Sequence, residues 1–319
     1  MIVIETTRAR RYLRLLAAGA ASLAFWPAAL NAQDYSTYPT VMNPAKYGTI
    51  WAPFYAKANE LTREARAELP HHLDIAYGSD PKQRLDVYLP PKSIARVAGN
   101  RAPVLLFFHG GGFKEGDRAH YGFVAVPYAK HGIITVVSGY RLAVGGVHYP
   151  AQADDAKSAV LWIHKNIAQY GGDPDRIFLS GHSVGATLSG EVGFDRSWLK
   201  NEDISPDVIK GIAAVSGEYE LRPGANPDYA PTPEIEARAS PLRHMGNPAP
   251  FAVVACGDME KGMKSSSESL NEHLLGKGVK TKFVLLNGAD HKDTVLAFGT
   301  EGSPLSKAVL QMIERPDGP

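Results

Sequence analysis

The sequence predicts an α/β fold, with a mostly parallel sheet flanked by helices on both faces. Apolar runs of strand length recur along the chain and are continuous rather than alternating, as in strands buried on both faces. Stretches with helical spacing separate them, and strands that alternate with helices form parallel sheets. The length of 319 residues and the hydrophobic share of 44 % suit one large domain. The continuous apolar runs begin at Pro103, Gly132, Arg176, Lys210, Pro250 and Lys282.

The remaining elements follow from periodicity and turn signals. Helical spacing predicts a first helix over residues 51–69. The alternating segments "HLDIAYG" and "QRLDVYLP", on either side of "SDPK", predict an antiparallel hairpin. Ligand sites in such sheets lie at the carboxyl ends of the strands, so the residues that follow each apolar run are the candidates for function. The later helices are expected at about residues 121–131, 151–170, 184–193, 264–276 and 303–313.

The N-terminus has the composition of a secretory signal peptide over residues 1–32. Four arginines precede a short apolar stretch, and "LNA" precedes Gln33. We expect cleavage after Ala32 and export to the periplasm or the medium, by the general or the twin-arginine route. The alternatives are an uncleaved membrane anchor and a buried helix. Residues 33–70 are then an N-terminal extension and a candidate lid, and residues 71–319 form the catalytic domain.

Charge and cysteine content exclude several classes of protein. The chain has 34 Lys+Arg and 33 Asp+Glu, and removal of residues 1–32 takes away four arginines and one glutamate, so the net charge changes from +1 to −2. Without a basic stripe we expect no nucleic-acid partner, and after signal cleavage no stable membrane association. The single cysteine, Cys256, allows neither an intrachain disulfide nor a cysteine zinc site, and "FAVVACG" predicts that it is buried.

A candidate nucleophile follows one of the apolar runs. "RIFLSGHSVGA" is a strand, then the pattern G-x-S-x-G around Ser183, then a helix. In this context the glycines allow a sharp turn that lifts the serine hydroxyl above the sheet. A serine hydroxyl is a weak nucleophile until a base and an orienting acid activate it. The side chain of the neighbouring His182 is expected to point away from the site.

The base and the acid are expected after the last two strands. "KFVLLNGADHKD" places His291 after the last strand. "PFAVVACGDMEKGM" offers two carboxylates, Glu260 and Asp258, of which only one can hold the imidazole. The spacing G-x-x-D/E favours Glu260, with Asp258 as the alternative acid. The order nucleophile, acid, base is the order of the α/β-hydrolases.

The glycine run in "LLFFHGGGFKEGD" follows an earlier strand. It lacks the G-x-G-x-x-G pattern of dinucleotide sites and the G-K-[ST] of phosphate loops. Its position instead suits an oxyanion hole, in which the N–H groups of Gly111, Gly112 and Val184 converge on a developing negative charge. A plain glycine-rich loop is the alternative interpretation.

These motifs together resemble those of the α/β-hydrolase carboxylesterases with an H-G-G-G motif, the hormone-sensitive-lipase-like esterases. The resemblance is greatest to the branch with acetyl-xylan/feruloyl esterases and kynurenine formamidases, and it covers most of residues 76–291. It implies a triad of Ser183, His291 and Glu260, with Gly111 and Gly112 as oxyanion donors. It also implies that the histidine at the start of the motif, His109, braces the loop. Such enzymes need neither a metal nor an organic cofactor.

Two departures from the family pattern bear on the substrate. Formamidases typically carry an aromatic residue in or directly after a two-glycine run, whereas this chain has a third glycine and then Phe113. Val184 stands where the family often has alanine, which narrows the space near the acyl group. The expected function is therefore hydrolysis of small or medium carboxylic esters through an acyl-enzyme. The alternatives are an arylformamidase-type amidase and a non-catalytic binding protein, and the oligomeric state stays open.

Overall fold

An eight-stranded sheet forms the centre of the computed structural model, which describes residues 48–94 and 101–316. All of the strand-like segments in the sequence form strands of this sheet. In chain order they are β1 (His71–Ala76), β2 (Arg84–Tyr88), β3 (Ala102–Phe108), β4 (Ile134–Ser138), β5 (Gly172–His182), β6 (Ile209–Val215), β7 (Phe251–Gly257) and β8 (Lys280–Leu286).

The strand order in the sheet is β1-β2-β4-β3-β5-β6-β7-β8. β1 pairs with β2, and β2 with β4, in antiparallel fashion, which confirms the predicted hairpin. All later neighbours are parallel. The register brings the strand ends to one edge, because Phe108 pairs with Gly181 and His182 pairs with Val215. The loops that follow β3, β5 and β6 therefore start side by side.

The helices differ from the predicted ones mainly at their ends. Residues 121–131 form a 3₁₀ turn (Gly122–Ala125) and one short helix, and the last turn of the 151–170 helix is also 3₁₀ (Ile167–Tyr170). Two helices, Pro233–Arg238 and His291–Phe298, were not predicted. The helices are α1 (Gly48–Glu68), α2 (Val126–Ala129), α3 (Ala151–Asn166), α4 (Val184–Gly193), α5 (Pro233–Arg238), α6 (Lys261–Gly276), α7 (His291–Phe298) and α8 (Pro304–Glu314).

Helices cover both faces of the sheet. Leu106 and Phe108 of β3 belong to a buried cluster that includes residues of α3, α4 and α6. Phe107 points to the other face, where its ring lies 5.3 Å from that of Phe298 in α7. Strand side chains alternate between the faces, so a strand with two buried faces must be apolar throughout. This confirms the predicted α/β fold class, with a mostly parallel sheet and helices on both faces.

The first helix is attached to the segment that follows the glycine run. Thr62 donates its hydroxyl to the carbonyl of His120 at 2.8 Å, and Arg66 donates to the carbonyl of Ala119 at 3.2 Å. Both acceptors lie in the 3₁₀ turn Arg118–His120, directly after the loop that carries Gly111. α1 therefore sits beside the carboxyl ends of the strands.

Several expectations concern residues that lie outside the described ones. The predicted signal peptide, residues 1–32, and residues 33–47 of the extension belong to this part of the chain. Within residues 48–94 and 101–316, none of the helices combines the length and apolar character that a membrane span needs. Cys256 is a free, buried thiol in β7, as predicted.

Candidate active site

Ser183 lies at a sharp turn between β5 and α4. Its backbone has φ 58° and ψ −129°, a combination that residues with a side chain seldom adopt. A Cβ on Gly181 would lie 2.2 Å from the carbonyl oxygen of Gly185, and one on Gly185 would lie 2.1 Å from that of Phe108. Both glycines are therefore required by close packing, and the turn presents Ser183 to a cavity.

His291 and Glu260 are in direct contact through Nδ1 of the imidazole and Oε1 of the carboxylate. The other carboxylate oxygen, Oε2, accepts the Gly257 N–H at 2.6 Å and the Ser216 hydroxyl at 2.8 Å. These donors hold the carboxylate in one orientation. It in turn keeps the proton of the imidazole on Nδ1, which leaves Nε2 free to accept a proton.

The second carboxylate, Asp258, lies elsewhere. It is exposed, and its Oδ1 accepts the N–H of Gly288 at 2.8 Å. Of the two acids that the sequence left open, the structure therefore brings Glu260 to His291, while Asp258 stabilises the loop after β8.

His291 is the first residue of a helix that the sequence analysis missed. Asp290 caps α7 by accepting the N–H groups of Lys292 and Asp293, and the Asp293 side chain accepts the N–H of Asp290 at 2.9 Å. The pattern D-x-x-D is the reciprocal capping arrangement and was the available signal. Because a helix begins at His291, its backbone is fixed on both sides of the imidazole.

The glycine run forms a tight loop beside Ser183. Gly111 has φ 135°, and a Cβ there would lie 2.0 Å from the carbonyl oxygen of Glu115. Within the described residues, the N–H groups of Gly111 and Gly112 donate to no protein acceptor. Val184 is the first residue of α4, where an N–H has no acceptor within the helix. Three backbone donors at this edge are thus available to a bound group.

His109 holds this loop in place. Its ring stacks on Tyr140 at 4.5 Å between centroids, and its Nδ1–H donates to the carbonyl of Gly110 at 2.8 Å. Tyr140 donates its hydroxyl to the carbonyl of His109 at 2.8 Å. Burial lowers the pKa of His109 to about 4, so the ring is neutral at physiological pH.

A cavity of about 550 Å³ connects these groups. Its lining combines Ser183, His291 and the glycine run with several aromatic residues. The lining residues are Trp51, Phe54, Tyr55, Gly110, Gly111, Gly112, Lys114, Glu115, Tyr121, His182, Ser183 and His291.

The aromatic lining comes largely from α1 and was not predicted. Trp51, Phe54 and Tyr55 lie on one face of the helix, because residues three and four apart are neighbours. The Trp51 ring meets the ring of His291 edge-on at 6.0 Å, and the Lys292 ammonium lies 5.9 Å from the Trp51 ring centre. The signal was the pattern W-x-x-F-Y, which alone is equally typical of a helix face in the core.

The expectation for His182 was wrong. The residue is among those that line the cavity, and its ring packs on that of His291, with 4.5 Å between ring centroids, rather than pointing away from the site. Neighbouring strand residues usually point to opposite faces, but β5 ends here and the chain turns. Burial, followed by the nearby His291, lowers the pKa of His182 well below its usual value, so this imidazole stays neutral.

The described residues contain no group of three or more His, Cys, Asp or Glu side chains that could hold a metal ion.

Sequence comparisons connect this site with hydrolases. A family model described as BD-FAE matches residues 85–211, which include the glycine run and Ser183. The kynurenine formamidase of Danio rerio is 29 % identical over 262 residues, which cover 79 % of this chain and 85 % of that protein. The isoprenylcysteine alpha-carbonyl methylesterase ICME of Arabidopsis thaliana is 26 % identical over 247 residues, covering 70 % of this chain and little more than half, 56 %, of that protein.

A solved structure with the same fold is the hyperthermophilic esterase from the archaeon Pyrobaculum calidifontis. It superposes with a TM-score of 0.66 at 21 % identity and covers 83 % of this chain and 90 % of that one. The fold is that of the α/β-hydrolases, and the sequence relatives support a serine hydrolase of that type. Esterases and kynurenine formamidases are both among the proteins to which the chain is similar in sequence.

Proposed function

We propose that this chain is a serine carboxylesterase that hydrolyses small or medium carboxylic esters. The observation that carries the proposal is the contact between His291 and Glu260 on the cavity that Ser183 enters from its strained turn. A nucleophile, a base and an orienting acid are the minimum set for acyl transfer from an ester.

The reaction proceeds in two steps. Nε2 of His291 takes the proton of Ser183 as its Oγ attacks the ester carbonyl. The resulting oxyanion accepts hydrogen bonds from the backbone N–H groups of Gly111, Gly112 and Val184. The C–O bond to the alcohol then breaks, and His291 gives its proton to the leaving alcohol. Water repeats the sequence on the acyl-enzyme, which releases the carboxylic acid and returns the proton to Ser183. Each oxyanion donor lowers the barrier by about 3 kcal/mol.

The test is a substrate panel. Purified protein is assayed with p-nitrophenyl acetate, longer p-nitrophenyl esters, a feruloyl ester and N-formylkynurenine, and kcat/KM is compared. We expect the esters to be the better substrates. A kcat/KM for N-formylkynurenine above that for every ester would overturn the proposal.

A formamidase is the second candidate, and the similarity to the Danio rerio kynurenine formamidase favours it. Two features argue against it. The glycine run continues to a third glycine, Gly112, whereas formamidases typically have two glycines with an aromatic residue in or directly after them. Phe113, which follows the run, is buried and stacks on Tyr229, with 3.5 Å between the ring centroids, and it does not line the cavity. A formamide places only a hydrogen on the acyl carbon, whereas an ester acyl group needs room there. The panel above separates the two candidates directly.

We also propose that residues 1–32 direct export and that residues 33–70 act as a lid. Support for the lid comes from Trp51, Phe54 and Tyr55 of α1, which line the cavity. N-terminal sequencing of the protein from a producing cell tests the first proposal, with Gln33 as the expected first residue. Deletion of residues 33–70 tests the second, with a raised KM as the expected result.

A further inference from the structure

A ring of buried hydrogen bonds joins residues at or after the ends of four neighbouring strands, β5, β6, β7 and β8. The ring runs from His182 at the end of β5 to Thr294 in α7, to Ser216 after β6, to Glu260 after β7, and to His291. Four of these five residues are each less than one-tenth exposed, namely His182, Ser216, Glu260 and Thr294. The sequence motifs identify Glu260 and His291 but give no role to the other three.

The distances along the ring are those of hydrogen bonds. Thr294 Oγ1 lies 3.2 Å from His182 Nε2 and 3.0 Å from Ser216 Oγ. Ser216 donates to Glu260 Oε2 at 2.8 Å, and Glu260 Oε1 contacts His291. The ring closes through the main-chain carbonyl of His291, which lies 2.8 Å from His182 Nε2 and 2.9 Å from Thr294 Oγ1.

The acceptors determine where the protons are. A main-chain carbonyl can only accept, so His182 carries its proton on Nε2 and donates it to His291. Ser216 donates its single hydroxyl proton to the carboxylate, so the Thr294 hydroxyl is the donor toward Ser216 or the His291 carbonyl. Each donor in the ring thus leads toward Glu260 or His291, and hydrogen bonds in such chains strengthen one another.

We propose that His182, Thr294 and Ser216 are positioning residues that fix the separation and orientation of Ser183, His291 and Glu260. His182 precedes Ser183 in the chain and bonds the backbone of His291, so one side chain links the nucleophile to the base. Thr294 and Ser216 link the carboxylate to the same two elements. The proposal rests on the function proposed above, because it assigns these residues to that triad.

The neutral state of His182 suits this role. His291 gains a proton during each acyl-transfer step, and a second cation in ring contact with it would oppose that gain. Burial keeps His182 uncharged, so it can support His291 without repelling its protonated form. Ser216 has φ 51°, an unfavourable backbone for serine, which its hydrogen bond to Glu260 helps to hold.

The test compares two replacements of His182. His182→Leu removes the donor, whereas His182→Gln keeps an N–H at the reach of Nε2. With p-nitrophenyl acetate, we expect His182→Leu to lower kcat about 10²-fold, since a misplacement near 1 Å has that effect, with KM within about twofold. His182→Gln should recover most of the lost kcat.

A second pair of variants keeps the test decisive if His182→Leu does not fold. Thr294→Val removes one hydroxyl from the ring, and we expect kcat to fall roughly tenfold, less than for full misplacement of the base. Thr135→Val is the matched control, because the buried Thr135 hydroxyl in β4 has no hydrogen-bond partner. The control should leave kcat and KM unchanged. If His182→Leu does not fold, Thr294→Val decides.

Three results would overturn the proposal: an unchanged kcat in the folded His182→Leu and Thr294→Val variants, a Gln variant no better than Leu, or a loss confined to KM. The rate at which a fluorophosphonate probe labels Ser183 is measured in parallel. This probe needs only an activated serine, so it reports on positioning even where no ester is hydrolysed. Wild-type protein that is labelled but inactive on esters would contradict the carboxylesterase proposal alone.

Discussion

The cavity has two walls that are built in different ways. The polar wall comes from loops at the carboxyl ends of the strands, where hydrogen bonds, close-packed glycines and strained backbones fix Ser183, His291 and Gly111. The aromatic wall comes mainly from α1, where Trp51 and Tyr55 pack by ring contacts. The polar wall fixes the orientation of the reacting groups, whereas the aromatic wall supplies apolar contact area for the substrate.

This difference assigns different kinetic effects to the two walls. Groups aimed at the reacting atoms act in the transition state, so changes in the polar wall should lower kcat. Groups that contact the rest of the substrate bind it equally before and during the reaction, so changes in the aromatic wall should raise KM. Variants in each wall test whether the polar wall acts on kcat and the aromatic wall on KM.

Ser183→Ala should give the largest effect. Without the nucleophile no acyl-enzyme forms, and we expect kcat on p-nitrophenyl acetate to fall by about 10⁶-fold. The melting temperature should not fall, because alanine removes only one hydroxyl. Activity retained within tenfold of wild type would refute the role of Ser183.

Glu260→Gln should rank second and distinguishes the two candidate acids. An amide in place of the carboxylate allows the wrong imidazole tautomer, so kcat should fall by about 10⁴-fold. Asp258→Asn is the matched control, because Asp258 contacts the Gly288 N–H and not His291. A larger loss for Asp258→Asn than for Glu260→Gln would reverse the assignment.

Gly111→Ala should lower kcat by about 10²- to 10³-fold, the effect of one lost oxyanion donor. The added Cβ meets the Glu115 carbonyl, and alanine is strained at φ 135°, so the loop must shift. Gly112→Ala has open space for its Cβ and should cost less. Steady-state kinetics on a short ester measures both, and equal losses would contradict the geometry of the loop.

Trp51→Ala should affect KM rather than kcat. It removes aromatic area from the cavity, and we expect KM for long-chain or aryl esters to rise several-fold, with little change for acetate. Trp198→Ala serves as control, because Trp198 donates to the Val192 carbonyl away from the cavity. A loss confined to kcat would place Trp51 functionally with the polar wall.

Substitution of Glu191 by Gln should have the smallest effect on activity, since Glu191 lies outside both walls. Burial raises its pKa to about 8 from 4.5, so the folded chain keeps a proton that the unfolded chain loses. The free energy of unfolding should therefore fall as the pH rises between these two values. Urea unfolding at pH 5 and pH 8 tests this. Glu191→Gln should make the free energy of unfolding less dependent on pH and leave kcat/KM unchanged. The same pH dependence in the variant and the wild type would contradict this role of Glu191.

The sequence predicted the polar wall far better than the aromatic one. Ser183 and the glycines stand in motifs because close backbone approach forces glycine at fixed spacings, and such constraints are visible in one chain. Ser216 and Thr294 meet only after β6 and α7 are packed together, and no local pattern marks such a contact. Trp51 likewise reads as an ordinary helix residue until α1 is placed over the strand ends.

The strands and the fold class were also predictable, because burial on both faces demands continuous apolar runs such as the one at Pro250. The orientation of His182 was not, since strand alternation fails where the chain turns at Ser183. The start of α7 depended on the capping pair Asp290 and Asp293, a signal present in the sequence but outside the catalytic motif.

Mass spectrometry of the protein after reaction with a fluorophosphonate probe tests the nucleophilic role of Ser183 most directly. We expect one adduct, on the peptide that contains Ser183, together with loss of ester hydrolysis in proportion to labelling. The adduct should be absent from Ser183→Ala. No adduct, or an adduct on another residue with ester hydrolysis intact, would show that Ser183 is not the nucleophile.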